Sequence, residues 1–248
     1  MDLGLIVTLF VGLLLGGLMN IVIVRLPREQ NMGGWPHCTR CGRKLAWWQM
    51  LPLVGWLAQR GHASCCGKPL HWVYPLVELL SGIMVAWLYS RYGLSPLFFY
   101  LTFVTIILLI TGAIDWLHRW IYTFVILGSA IVVLIASAFV RPHTLLNAFA
   151  GLLIAGFIFL LFYILARFLF PSQSAPFGLG DVYLAMFLGA AFGLTRLATM
   201  LFIGMLLAGI FSVGVIARRS SGRPSPQYIS YGTFLCLGAI TYIAVYGM

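Results

Sequence analysis

Residues 96–116 read PLFFYLTFVTIILLITGAIDW. These 21 residues carry one charged side chain, Asp115, and it stands next to the end. About 20 apolar residues in a helix cross the ~30 Å hydrocarbon core of a bilayer. The stretch therefore predicts a transmembrane helix that closes on a carboxylate. Working outward, comparable segments occur at 3–24, 73–90, 120–140, 145–169, 181–194, 197–217 and 228–247, which makes eight predicted spans. The segment at 181–194 is short and contains Gly189 and Gly193. It reads as tilted, broken or partly re-entrant, and discounting it leaves a count of seven.

Composition agrees. Of 248 residues, 62% are hydrophobic and 8% charged, whereas soluble domains carry about a quarter charged. Such a chain cannot coat a water-soluble globule, but lipid requires no coat. Only Asp2 precedes the first apolar run. Without a basic region before it, that run reads as a retained span and not a cleaved signal.

The net charge of +10 reads as topology. With the N-terminus outside, the inner loops hold Arg25, Arg28, Arg40, Arg43, Lys44, Arg60, Lys68, Arg119, Arg167, Arg218, Arg219 and Arg223. The outer loops hold Arg91, Arg141 and Arg196. Basic residues collect on the cytoplasmic side, so this split favours eight spans. The expected fold is all-α: a polytopic membrane protein of about eight transmembrane helices with a small cytoplasmic metal-stapled loop. It divides as 1–25 (first span), 26–72 (cysteine-rich loop) and 73–248 (membrane bundle). Residues 218–227, RRSSGRPSPQ, read as an inner loop, and no internal repeat is evident. Membrane lipid is an expected partner; nucleic acid is not, because the basic loop is short and tethered to the membrane.

Five acidic residues exist, and Asp2 and Glu29 flank the first span. Glu78, Asp115 and Asp181 remain, in or beside apolar segments, where an ionisable group costs about 2.5–3.5 kcal/mol on insertion scales and marks function by default. Asp115 closes one span. Asp181 opens another, in PFGLGDVYLAM. Both fall at inner ends, so they can meet. Two adjacent carboxylates resist simultaneous ionisation; the ionised partner can draw a proton from water while the protonated one donates to a scissile carbonyl. Gly178 and Gly180 would let the backbone turn sharply and a substrate strand approach. The competing reading makes Asp181 a helix cap.

Four of the five cysteines share the polar loop: Cys38-Thr-Arg-Cys41, then, after 23 intervening residues, Cys65-Cys66. Four thiolates on a small loop suit a structural tetrahedral Zn²⁺; free or redox-active thiols are the alternative. A second C-x-x-C would need cysteine where Ala63 stands. Cys65 and Cys66 can then share one metal only through a strained turn, unless His62 or His37 replaces one of them. Cys236 sits alone in an apolar segment and reads as packed. Glu78 either pairs with an inner-loop arginine or faces a polar cavity. Asn20 fits an interhelical hydrogen bond.

Together these parts resemble the type 4 prepilin peptidases. GLLLGGLMNIVIVRLP (12–27), CTRCG, LPLVGWLAQRG, CCGKPL, YPLVELLSG (74–82), AIDW (113–116), FGLGD (177–181) and YGTFLCLGA (231–239) follow that family's order. The resemblance implies a leader peptidase of the bacterial inner membrane with its active site facing the cytoplasm. It would cut prepilins or pseudopilins after a Gly and then methylate the new N-terminus with S-adenosylmethionine. It assigns catalysis to Asp115 and Asp181 and metal binding to Cys38, Cys41 and Cys66, with Cys65 fitting after a shift of register. Glu78, Asn20 and Arg25 are the candidate methyl-donor residues. Three positions depart from the family pattern: Tyr183 stands for Lys, Tyr122-Thr123 for Pro-Asp, and Ser230 for Pro. An ion-coupled transporter and a non-catalytic assembly factor are the rival readings.

Overall fold

The computed structural model describes residues 3–140, 144–169, 178–221 and 230–247. Asp2, Arg141, Phe177, Arg223 and most of the 218–227 loop lie outside the described residues. Within them the protein is all-α. Its helices are α1 (Leu3–Arg25), α2 (Val54–Ala58), α3 (Val73–Tyr92), α4 (Pro96–His118), α5 (Thr123–Val140), α6 (Leu145–Leu169), α7 (Leu179–Phe192), α8 (Leu194–Ser220) and α9 (Tyr231–Tyr246). Extended pairing among the described residues is confined to two isolated bridges, His37–Lys44 and His62–Pro69. Among the described residues six helices are long and apolar enough to cross a membrane: α1, α3, α4, α5, α6 and α8. The other two predicted segments are the helices α7 and α9, of 14 and 16 residues. At 1.5 Å per residue they rise only about 21 and 24 Å, short of the ~30 Å core.

The chain packs as two compact units, Met1–Ala113 and Ile114–Met248. Sequence polarity separates the cysteine-rich loop from the spans; packing groups it with α1 and α3.

In the first unit α1 and α3 run antiparallel, and glycine sets their distance. A Cβ on Gly12 would stand 2.8 Å from the Gly82 Cα, and one on Gly16 would stand 2.5 Å from the Glu78 Cα. The Ser81 hydroxyl donates to the Gly12 carbonyl at 2.7 Å. Small residues four apart, plus an interhelical hydroxyl, hold helices together where hydrophobicity gives no drive. At the end of α1 the Arg25 guanidinium donates to the carbonyls of Asn31, Met32, Gly33, Gly34 and Trp35. It folds the start of the loop back over the helix end.

In the second unit α7 is the inner helix. Every residue from Leu184 to Phe192 except Met186 is buried, as expected of a helix apolar on all sides, and α5, α6, α8 and α9 pack around it. The expectation of a broken segment is corrected here: α7 runs unbroken through Gly189. That glycine allows backbone contact, because a Cβ on it would strike the Gly151 carbonyl of α6. Gly193, at φ +71°, makes the sharp turn into α8, a conformation that glycine adopts without strain. Asn147 caps α8 by accepting from the Leu194 N–H at 3.0 Å. On the outside, Phe139, Leu146, Phe168 and Val213 are exposed. An apolar surface on this scale suits hydrocarbon and not water.

Candidate active site

Asp115 and Asp181 both belong to the second unit and are 5% and 9% exposed. Asp115 comes from the last turn of α4. Its Oδ2 accepts the Thr233 N–H at 2.6 Å and the Thr233 hydroxyl at 2.9 Å. Thr233 lies in the first turn of α9, where backbone N–H groups have no helical acceptor. Asp181 lies in the first turn of α7, and its Oδ2 accepts the Gly178 N–H at 3.0 Å. Each carboxylate is thus met by an otherwise orphaned N–H at the positive end of a helix. Burial penalises charge on both acids, and these bonds offset part of that penalty. The two acids lie within electrostatic range of each other, and both act on the buried sulfur of Cys236.

The chain between them explains the glycines. Arg119 takes a left-handed conformation, φ +59°, and its N–H caps the Asp115 carbonyl at 2.8 Å. The reversal brings Ile121 against two helix starts. A Cβ on Gly180 would lie 2.8 Å from the Ile121 Cβ, and one on Gly232 would lie 2.8 Å from its Cδ1 and 3.0 Å from the Asp115 Oδ2. The sharp turn expected at Gly178 and Gly180 is corrected: neither makes a left-handed turn. Gly180 provides space for Ile121, and Gly178 is the extended cap of α7, its N–H committed to Asp181. The capping reading of Asp181 is therefore present in the geometry, and it engages one oxygen of a carboxylate that also faces Asp115's charge. Sequence reasoning missed Thr233 and Ile121. The signal for Thr233 was a hydroxyl residue after a glycine in the first turn of an apolar helix.

The polar residues of the first unit form a separate seam. Glu78 Oε1 accepts Asn20 Nδ2 at 2.9 Å, and its Oε2 accepts the Leu53 N–H at 2.7 Å. Asn20 Nδ2 also donates to the Tyr74 carbonyl at 3.1 Å. Asn20 makes the interhelical bond expected of it. The expectation of an arginine partner for Glu78 is corrected: neutral donors take both oxygens. Arg25 spends its guanidinium on loop carbonyls. Of the three candidate methyl-donor residues, Asn20 retains a buried oxygen, Oδ1, without a partner.

The sulfurs of Cys38, Cys41, Cys65 and Cys66 all lie within 4.8 Å of one another. Zinc–sulfur bonds of about 2.3 Å in a tetrahedron suit such a set. Two similar turns build it. In one, Cys38 N–H bonds Arg43 O and Gly42 N–H bonds Cys38 O; in the other, Ala63 N–H bonds Lys68 O and Gly67 N–H bonds Ala63 O. HCTRCGRK (37–44) and HASCCGKP (62–69) are thus a short structural repeat, a correction to the reading of none. Ala63 occupies the place of Cys38, and Cys65 the place of Arg40. Neither Cys65 nor Cys66 has a positive φ, so the anticipated strained turn does not arise. His62 Nδ1 instead meets the Arg60 carbonyl at 2.9 Å. Burial pushes the Cys38 thiol up, but the Arg40 and Cys41 N–H groups and the neighbouring thiols outweigh it and bring it down to about 7. Cys65, donating to Cys41 and Cys38, is pushed up to about 12. A cation would replace that shared proton.

Fold and site define a multi-pass membrane protein whose second unit is organised around two buried acids. Residues 10–92 match the bacterial peptidase A24 N-terminal domain, and residues 102–213 match the type IV leader peptidase family. The prepilin leader peptidase/N-methyltransferase of Myxococcus xanthus is 31% identical over 229 residues, covering 89% of this chain and 65% of that protein. The protein of the same description in Dickeya chrysanthemi is 30% identical over 261 residues, covering 94% and 89%. That of Bacillus subtilis is 26% identical over 221 residues, covering 87% and 85%. No solved structure matches the chain. The chain belongs to the type IV leader peptidase family.

Proposed function

We propose that this protein is an intramembrane aspartyl endopeptidase. It removes the leader of prepilins or pseudopilins after a Gly at the cytoplasmic face of the bacterial inner membrane and then methylates the new N-terminus. One observation carries the reading most: two buried aspartates from α4 and α7 lie within electrostatic range in one unit, each against a helix N-terminus. The relatives' names supply the substrate class and the methyl transfer. The distribution of lysine and arginine supports the cytoplasmic orientation.

In the mechanism the pair shares one proton. The ionised carboxylate takes a proton from water as the oxygen attacks the scissile carbonyl carbon, and the protonated one donates to the carbonyl oxygen. The two act as a unit, so neither role is assigned to either residue. Thr233 holds Asp115 in place from α9.

The four cysteine sulfurs fit Zn²⁺. The metal would tie the two turns together and leave no open position for chemistry. The methyl donor implied by the family fits less well. Arg25 and Glu78 are satisfied internally, and no step is derived through them.

Mass spectrometry of a prepilin incubated with the purified protein and S-adenosylmethionine tests both activities, by loss of the leader mass and gain of a methyl group. An uncut prepilin would reject the peptidase and favour an assembly factor. Thr233→Val deletes the hydroxyl bond and keeps the N–H. It is expected to lower kcat for leader cleavage about tenfold at unchanged KM, since bonds to charged groups contribute about 1.5–3 kcal/mol. Thr233→Ser restores the rate. A rise in KM alone would remove the positioning role.

A further inference from the structure

Residues 47–58 are apolar where a water-facing loop should be polar. Trp47 is 68% exposed, Val54 56% and Leu57 64%, with Trp48 and Leu51 also exposed. Val54 and Leu57 stand three apart on α2, on one face. The opposite side of the helix is closed, because a Cβ on Gly55 would strike the Gln49 carbonyl.

The segment does not project beyond the helices it links. Pro52 packs on α1, its Cγ 3.6 Å from the place of a Gly17 Cβ. Gly17 lies eight residues before Arg25, about 12 Å back from the end of α1. The Leu53 N–H donates to Glu78, five residues into α3, about 7–8 Å from its start. Leu53 is held there at φ +59°, ψ −47°, a conformation that a residue with a side chain adopts at a cost. The turn is thus fastened alongside α1 and α3, about 7–12 Å back from their ends.

The surrounding charge selects the surface. Arg28, Arg40, Arg43, Lys44, Arg60 and Lys68 are exposed in the 26–72 loop, against a single acid, Glu29. Tryptophan favours the interface, and clustered cations favour an anionic leaflet. A basic peptide would be repelled by the same charges.

We propose that residues 47–58 are an interfacial anchor, seated at the headgroup–acyl boundary of the anionic cytoplasmic leaflet and fastened to α1 and α3 through Pro52 and the Leu53–Glu78 bond. The inference rests on the orientation proposed above. Its test needs no substrate, so it stands or falls separately from leader cleavage.

The full-length zinc-loaded protein is reconstituted in phosphatidylcholine/phosphatidylglycerol nanodiscs, alongside the Trp47→Phe/Trp48→Phe variant. The difference in tryptophan emission between the two isolates these exposed rings. Lipids brominated near the top of the acyl chain are expected to quench it by about half or more, and aqueous acrylamide far less. In discs of phosphatidylcholine alone the bromine quenching is expected to weaken by about twofold. Difference emission open to acrylamide and indifferent to bromine would overturn the proposal. So would quenching equal in both lipid compositions, or quenching relieved by an added prepilin peptide, which would make this a substrate-docking surface.

Discussion

Asp115→Asn and Asp181→Asn are each expected to lower leader cleavage by about 10³-fold, with the bundle intact. Asparagine preserves shape and an acceptor oxygen. The Thr233 N–H and hydroxyl can still reach position 115, and the Gly178 N–H can still reach position 181. What is lost is the exchangeable proton and the negative charge. Because the pair acts as a unit, the double variant is expected to be no slower than the worse single one. Alanine is a poorer probe at position 181. It also removes the acceptor at the start of α7, and capping losses run about 0.5–2 kcal/mol. Cleavage rate by mass spectrometry, beside a thermal unfolding midpoint in detergent, separates chemistry from folding. An asparagine variant cutting within about tenfold of the parent would end the two-acid mechanism.

The two acids share a design. Each occupies a place where a helix begins inside the bundle, and a carboxylate there accepts an N–H that no helical carbonyl can serve. The shortness of α7 and α9 belongs to the same arrangement. A helix that starts below the membrane surface brings its unpaired N–H groups into a dry region, where an acid is a suitable partner. In a transporter, by contrast, the acids would be expected to relay ions near the bilayer midplane.

The helices were legible in the sequence because hydrophobic length is a local property. In their described residues all eight apolar segments are helical, with ends within a few residues of those predicted. Asp115 and Asp181 stood out by subtraction, since few acids were available. The rest depends on approach between distant segments. Thr233 is 118 residues from Asp115, and no local pattern announces that pair. Gly189 read as a weakness in a short span, yet it and Gly151 are where α6 and α7 touch. Glu78 looked short of a cation because the Leu53 N–H, its actual partner, belongs to a turn whose path is set by tertiary packing. The fourth sulfur was open in the sequence for a similar reason: with Ala63 opposite Cys38, nothing local shows that the second turn supplies Cys65 from the Arg40 position.

Stripping the metal is expected to unfold the two cysteine turns, 36–45 and 61–70, while leaving the 47–58 turn and the α1–α3 seam in place. Structural zinc in small cysteine domains contributes about 10–16 kcal/mol of apparent folding free energy, and apart from the fastened 47–58 turn this loop has little else to hold it. Among its described cross-links are the Trp35 indole bond to the Leu45 carbonyl and the Gln49 bonds to Gln59 and Ser64. The seam depends instead on Gly12, Gly16 and Ser81, which the metal does not touch. Hydrogen exchange before and after chelation reads both: protection is expected to vanish over 36–45 and 61–70 and persist through α1 and α3. Cobalt substitution then settles the ligands, because thiolate-to-metal charge transfer grows with the number of sulfurs bound. Cys65→Ser is expected to lower that absorbance as much as Cys66→Ser, while His62→Ala leaves it unchanged. Full absorbance in the Cys65 variant, with loss in the His62 variant, would replace the four-sulfur centre with a three-sulfur, one-imidazole site and move the fourth ligand out of the second turn.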